Sequence, residues 1–370
     1  MKKKKPLSWR HECRRLLWLL LLLPPLILPR LASKFPDIVE RVYSRAVYPV
    51  VSVFLNALFS VFPFSFAEIL LYFLIIFVPA SLIVCIYRAV RKKASWLQFV
   101  RLCITYCIIA CFAFNAFYVF WGLNYSRPQV STLLELDVRE RPVEELEALC
   151  HSLAKDAALL REQVEEDENG VFHLSESTRT LLKKIPEAYR NLGSEISMFN
   201  RYIASPKPVL ASEGLSYAGI SGIFIPFTGE ANVNTHQHDL LLLSSAAHES
   251  AHAMGIAREN EANFVSYLAC SASNDPAIAY SGVMLALVHC GNALYHADQE
   301  KYSTLYRSYS EGMQADFIDY NRYWNAYEGP IQETASEVND NYLKFNQQES
   351  GIKSYGEMVD LMLAWFEKEQ

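Results

Sequence analysis

Apolar positions along the 370-residue chain change their arrangement near residue 123. Before that point they come in unbroken blocks. Ala67–Tyr87 (AEILLYFLIIFVPASLIVCIY) and Leu102–Trp121 (LCITYCIIACFAFNAFYVFW) each reach the roughly 20 residues that a helix needs to cross a bilayer core. Leu16–Leu28 is shorter, carries Pro24 and Pro25, and follows Lys2–Lys5. A basic start before a short apolar run is the pattern of a cleaved leader, but Arg30, Lys34 and the prolines fit a small-residue cleavage site poorly. The expectation is therefore three spans, over 16–33, 67–87 and 102–121. Tyr48–Phe64 (YPVVSVFLNALFSVFPF) is amphipathic and aromatic, which predicts a helix at the membrane surface near 48–64.

Beyond residue 123 the pattern is that of globular protein. Leu146, Leu149, Leu153, Ala157 and Leu160 recur at helical spacing within Val138–Glu166. Ser175–Leu192 reads as a second helix, entered through cap candidates at Ser175–Ser177. Pro206–Asn234 is rich in Gly, Pro and β-formers and predicts two or three short strands, Ile220–Phe227 among them. From Asp239 the helical period returns, with breaks at Gly255, near Asn274–Pro276, near Gly329–Pro330 and at Gly351. The expected fold class is α+β and mostly helical. A membrane domain, 1–123, precedes a globular domain, 124–370, with a small sheet ahead of its central helix.

Charge divides at the same place. Up to Leu123 there are 16 Lys and Arg against 4 Asp and Glu; from Asn124 there are 18 against 36. So acidic a globular part argues against a nucleic-acid partner and leaves the lipid bilayer as the partner of the basic part. Lys2–Lys5, Arg10, Arg14 and Arg15 assign the N-terminus to the cytoplasm. Arg88, Arg91, Lys92 and Lys93 do the same for the loop between the second and third spans, so residues after about Asn124 are expected outside. Cys13, Cys85, Cys103, Cys107 and Cys111 belong to the membrane part and read as small hydrophobes. Cys150, Cys270 and Cys290 allow at most one disulfide, and nothing requires one.

Chemistry concentrates in Ala246-Ala247-His248-Glu249-Ser250-Ala251-His252-Ala253-Met254-Gly255. His248 and His252 are four apart, so both imidazoles leave one face of a helix and can grip one Zn²⁺. Glu249 lies one step round, where a general base can act on a zinc-activated water. Two features speak against a pair of ordinary surface histidines. The approach Leu240–Leu243 is apolar, so the helix is expected to be buried, where unpaired imidazoles are costly. Gly255 then ends the helix where a turn is needed to bring in a third ligand, and the acid-rich Glu259-Asn260-Glu261-Ala262-Asn263-Phe264 follows. At 100° per residue Glu259 and Glu261 point about 160° apart, so only one of them can serve a given metal. Glu261 shares the side of Val265 and Leu268, whereas Glu259 lies one turn before Asn263, which can hydrogen-bond a ligand histidine.

The His248–His252 motif with Glu259-x-x-Ala262-Asn263 resembles the gluzincin zinc peptidases. That resemblance implies Glu259 as the third ligand and Asn263 as support for a ligand histidine. The spacer is shorter than is usual there, and Arg258 fills the third-histidine position of the metzincins, which fit less well. A closer resemblance covers nearly the whole chain. The N-terminal spans, Gly222–Asn232 (GIFIPFTGEAN), the zinc motif with ENEANF, and Tyr342–Met362 (YLKFNQQESGIKSYGEMVDLM) are similar to a bacterial domain-of-unknown-function family of membrane-anchored, zinc-peptidase-like proteins. It implies a zincin-like domain outside the cytoplasmic membrane, holding Zn²⁺, and carries no substrate with it.

The Ile220–Phe227 strand precedes the zinc helix, as the substrate-aligning edge strand does in gluzincins, and a free edge would accept an extended peptide. Tyr342, Tyr355, Arg322, His289 and His296 are possible donors to a developing oxyanion, with no spacing that selects one. His236 and His238 read as a loop before a helix rather than a second metal site. Asp239, Ser244, Ser245 and Glu249 make the zinc helix too polar for an intramembrane protease. The expected function is a membrane-anchored zinc metallopeptidase acting on a peptide or protein of the cell envelope. The alternatives are an envelope binding or assembly protein with structural zinc, and another zinc amide hydrolase.

Overall fold

Residues 8–346, 348 and 357–369 are described by the structure, a computed structural model. Lys2–Lys5, Gly351 and Tyr355 lie outside the described residues. Four apolar helices come first: α1 (Trp9–Ala32), α2 (Pro36–Phe59), α3 (Phe66–Val90) and α4 (Trp96–Phe120). At 1.5 Å per residue, α3 and α4 are each about 37 Å long, enough to cross a hydrocarbon core. Ser65 and Ser95 cap them, accepting from the amides of Glu68 and Leu97. The chain reverses between them through Lys92, which takes a left-handed conformation (φ 53°). α1 packs along α4, where Asn115 donates to the carbonyl of Leu21 at 2.8 Å and Arg15 to the Thr105 hydroxyl at 2.8 Å.

α2 starts earlier and stops sooner than the surface helix expected over 48–64. Its first half, Val39–Val47, is wound as a π-helix. That wider turn comes just before Pro49, which has no N–H to return to the carbonyl of Arg45. Glu40, Ser44, Tyr48, Ser52 and Asn56, four residues apart, form one buried polar stripe.

The remainder builds one core around α7 (Asp239–Ala253), against which α8 (Glu259–Ser271) and α9 (Pro276–Ala297) pack; α5 (Val143–Arg161) lies across α9. Leu240, Leu242, Leu243, Ala246, Ala247 and Ala251 of α7 are all buried, meeting Phe264 and Val265 of α8 and Met284 and Leu287 of α9. α9 has the length and apolarity of a span but lies inside this core. Cys150, Cys270 and Cys290 are buried free thiols.

Two expectations are refined. The helix expected over Ser175–Leu192 is two, Thr178–Leu182 capped by Ser177 and α6 (Ile185–Glu195), because Pro186 has no N–H to return to the carbonyl of Leu182. The strand-rich segment holds β1 (Lys207–Pro208), a short helix at Ser212–Tyr217, β2 (Gly222–Ile225) and β3 (Glu230–Val233). The sheet order is β1-β3-β2, with β1 parallel and β2 antiparallel to β3, so among the described residues one edge of β2 has no strand beside it. The sheet is tied to α3. The Glu230 carboxylate accepts from the amides of Phe66 and Ala67 at 3.0 and 2.8 Å and pairs with Lys207, while Glu68 of α3 accepts from the amides of Leu210 and Ala211, both at 2.8 Å.

Candidate metal centre

α7 ends at Ala253, and its last carbonyls need partners that a helix cannot supply. Gly255 takes a left-handed conformation (φ 85°), and a Cβ there would stand 2.8 Å from the Tyr48 ring. The corner it makes lets α8 start at Glu259, four residues later, with its first turn facing α7.

Glu259 thereby meets both histidines. Its Oε2 lies 3.1 Å from Nε2 of His248 and its Oε1 lies 3.6 Å from Nε2 of His252. Ligands about 2.0–2.1 Å from a tetrahedral zinc are about 3.3 Å apart, so these spacings suit one ion. The other ring nitrogens are both engaged: Nδ1 of His248 donates to Oδ1 of Asn263 at 2.7 Å, and Nδ1 of His252 donates to the carbonyl of Ile256 at 2.7 Å. With Nδ1 engaged in each ring, both Nε2 atoms are turned to Glu259, the orientation in which a metal would displace any proton they carry. Two imidazoles and a carboxylate are a donor set that leaves a tetrahedral ion one open position. Among the described residues, His248, His252 and Glu259 are the group of His, Cys, Asp or Glu that could hold a metal ion.

Burial works against the carboxylate of Glu259, but the two histidines outweigh it and hold its pKa far below the usual range. Burial likewise pulls His252 down, and Glu259 and Glu249 reverse this and push it up to about 9. Glu249 is raised by burial, against the pull of His248 and His252, while the amide of Phe224 donates to it. Its side chain lies against β2, where a Cβ on Gly222 would stand 2.6 Å from Cγ of Glu249 and 2.9 Å from the carbonyl of Asn232.

Glu261 is turned away. Its Oε1 accepts from the amide of Val130 at 2.9 Å and from Arg258 at 3.2 Å. Of the possible donors, Tyr342, like Tyr125, feels the charge of Glu259. Burial pushes its hydroxyl up to about 12. Arg322 instead pairs with Asp319, and His289 and His296 lie on α9. His238 caps α7, accepting from the amide of Leu240, and His236 bonds Tyr323.

Sequence reasoning missed the residues that hold the end of α7. Trp121, which ends α4, donates its indole N–H to the carbonyl of His252 at 2.9 Å. Tyr48 and Ser52 of α2 donate to the carbonyl of Ala253 at 2.8 and 3.2 Å. Arg127, paired through two nitrogens with Glu40, donates to the carbonyl of Gly255 at 3.0 Å. The one signal available was the four-residue spacing of polar side chains through an apolar segment.

These features define a mostly helical membrane protein with a His-His-Glu group able to hold a metal ion. The chain belongs to the family described as Protein of unknown function (DUF3810), whose model matches residues 43–363. No curated protein and no solved structure matches it.

Proposed function

We propose that the protein is a membrane-anchored zinc metallopeptidase whose globular part, 124–370, is a gluzincin-like domain outside the bacterial cytoplasmic membrane. The observation that carries this is the convergence of His248, His252 and Glu259 with Glu249 seated against an edge strand. When bound there, zinc supplies Lewis acidity to a peptide carbonyl and acidifies a water. Glu249, its carboxyl raised by burial, takes a proton from the attacking water and hands it to the leaving amine. Tyr342, still protonated at neutral pH, supplies a hydroxyl donor for the carbonyl oxygen as charge grows on it. The free edge of β2 offers backbone hydrogen bonds to an extended peptide, and Gly222 lets that strand approach Glu249.

The proposed orientation is supported by the ends of α3 and α4. Arg88, Arg91, Lys92 and Lys93 lie at the turn between them, and Phe66 and Trp121, at the opposite ends, touch the globular part. The test is zinc content and hydrolysis of a peptide library by the full-length protein in detergent. About one zinc per chain and cleavage are expected for wild type; Glu249→Gln keeps the zinc and loses cleavage. Zinc retained by a wild type that cleaves nothing assigns the metal a structural role, and no zinc after reconstitution removes the reading altogether.

A further inference from the structure

α2 inverts the polarity of a water-facing helix. Glu40, Ser44, Tyr48, Ser52 and Asn56 are buried against the rest of the protein; the outer side carries the exposed charges Asp37, Arg41 and Arg45 in its first half and only apolar residues such as Val50, Val53, Phe54 and Leu58 in its second, Val50 70% and Phe54 65% exposed. Past Val47 such a helix has hydrocarbon as the solvent of its outer face. Its inner face holds the carbonyl of Ala253, the residue after His252. A helix with its side chains is about 10–12 Å thick, so His252 stands about one helix thickness from lipid. A second, separate contact agrees: the ring of Trp121, at the end of spanning helix α4, is 5.9 Å from that of His252 and 5.5 Å from that of Phe224 on β2. Trp121 directly follows the last residue of that span, so the chain leaves the bilayer there, at a boundary marked by the helix end rather than by the buried ring.

β2 starts from that boundary too. Ile225, at its end, pairs with Glu230, whose carboxylate caps the first turn of α3 at Phe66 and Ala67. Four residues of strand, about 13 Å, therefore run from the head of a spanning helix past Glu249.

We propose that the centre takes its peptide from a chain tethered to the same membrane, in the segment just outside a transmembrane helix or lipid anchor. This rests on the peptidase reading. A tethered chain leaving the bilayer beside α3 meets the β2 edge at once, and its scissile bond lies within about ten residues of the anchor.

The test uses full-length protein in phosphatidylethanolamine–phosphatidylglycerol vesicles with zinc. One probe is a single-span peptide carrying a randomised ten-residue segment outside the span; the other is the same segment without the span. Cleavage of the anchored probe at least about tenfold faster at equal bulk concentration, with cuts inside that segment, is expected from confinement to one surface. Equal or faster cleavage of the free probe overturns the tether and leaves the peptidase reading standing; cleavage of neither overturns both. The lipid-facing side is read independently with Val50→Cys and Phe54→Cys. Measured against the background of the native exposed Cys13 and Cys107, neither is expected to react with a membrane-impermeant maleimide until the vesicles are dissolved and the protein unfolded, because the thiolate that maleimide needs does not form in hydrocarbon. Rapid labelling by the impermeant reagent overturns the proposal.

Discussion

The indole N–H of Trp121 lies 2.9 Å from the carbonyl oxygen of His252, joining the end of an apolar helix to a metal-facing histidine across 131 positions of sequence. Its ring also stands edge-on to that histidine's imidazole. Trp121→Phe keeps most of the packing and removes the donor. The expected result is a loss of about 1–2 kcal/mol of stability, with zinc held less tightly. Thermal unfolding and competition with a chelator measure the two effects.

Glu259 and Glu261, two residues apart, are expected to fail differently. Glu259→Ala removes the carboxylate shared by both histidines and abolishes zinc binding. Glu261→Ala leaves the buried amide of Val130 without its acceptor, costing about 1–3 kcal/mol, and keeps the zinc. Metal content and melting temperature, determined on both variants, separate the roles.

Gly222→Ala tests the seat of Glu249, the proposed base. The new methyl meets Cγ of Glu249 and, on the strand side, the carbonyl of Asn232, so both cannot stay in place. Cleavage is expected to fall by about 100-fold, as for other small misplacements of a catalytic group, while zinc content stays at the wild-type level. Unchanged turnover shows that Glu249 does not need this seat.

Acidity bears on metal uptake with a definite sign. His252 in the metal-free protein is raised to about 9, so at neutral pH it carries a proton that the ion must displace. Affinity is therefore expected to rise about tenfold per pH unit up to about 9 and then level off. Calorimetry in buffers of different ionisation enthalpy reads the released proton directly.

Much of this centre was legible in the sequence because helical periodicity is local. Four-residue spacing puts His248 and His252 on one face, and the opposite directions of Glu259 and Glu261 left only a choice of side. The structure places Glu259 beside the histidines and Asn263 beside His248. Spans α3 and α4 were legible for the same reason, being continuous apolar runs. What stayed hidden depends on pairings remote in sequence. The carbonyl of Ile256 has no side-chain signature, and no local pattern ties Tyr48 to Ala253 or Glu230 to the head of α3. α2 was placed too far along the chain because its buried face is polar, so hydropathy marked only its more apolar second half. α9 shows the converse, a span-like composition spent on a globular core.

The stripe on α2 also sets an order of assembly. Tyr48 and Ser52 leave the ribosome some two hundred residues before the carbonyl they hold. Until the bilayer solvates the outer side of α2, the stripe has no fixed place from which to receive α7, and the corner that brings Glu259 to the histidines lacks its support. Arrival in the membrane thus works as a licence: a chain still in the cytoplasm carries His248, His252 and Glu259 without the frame that holds them together.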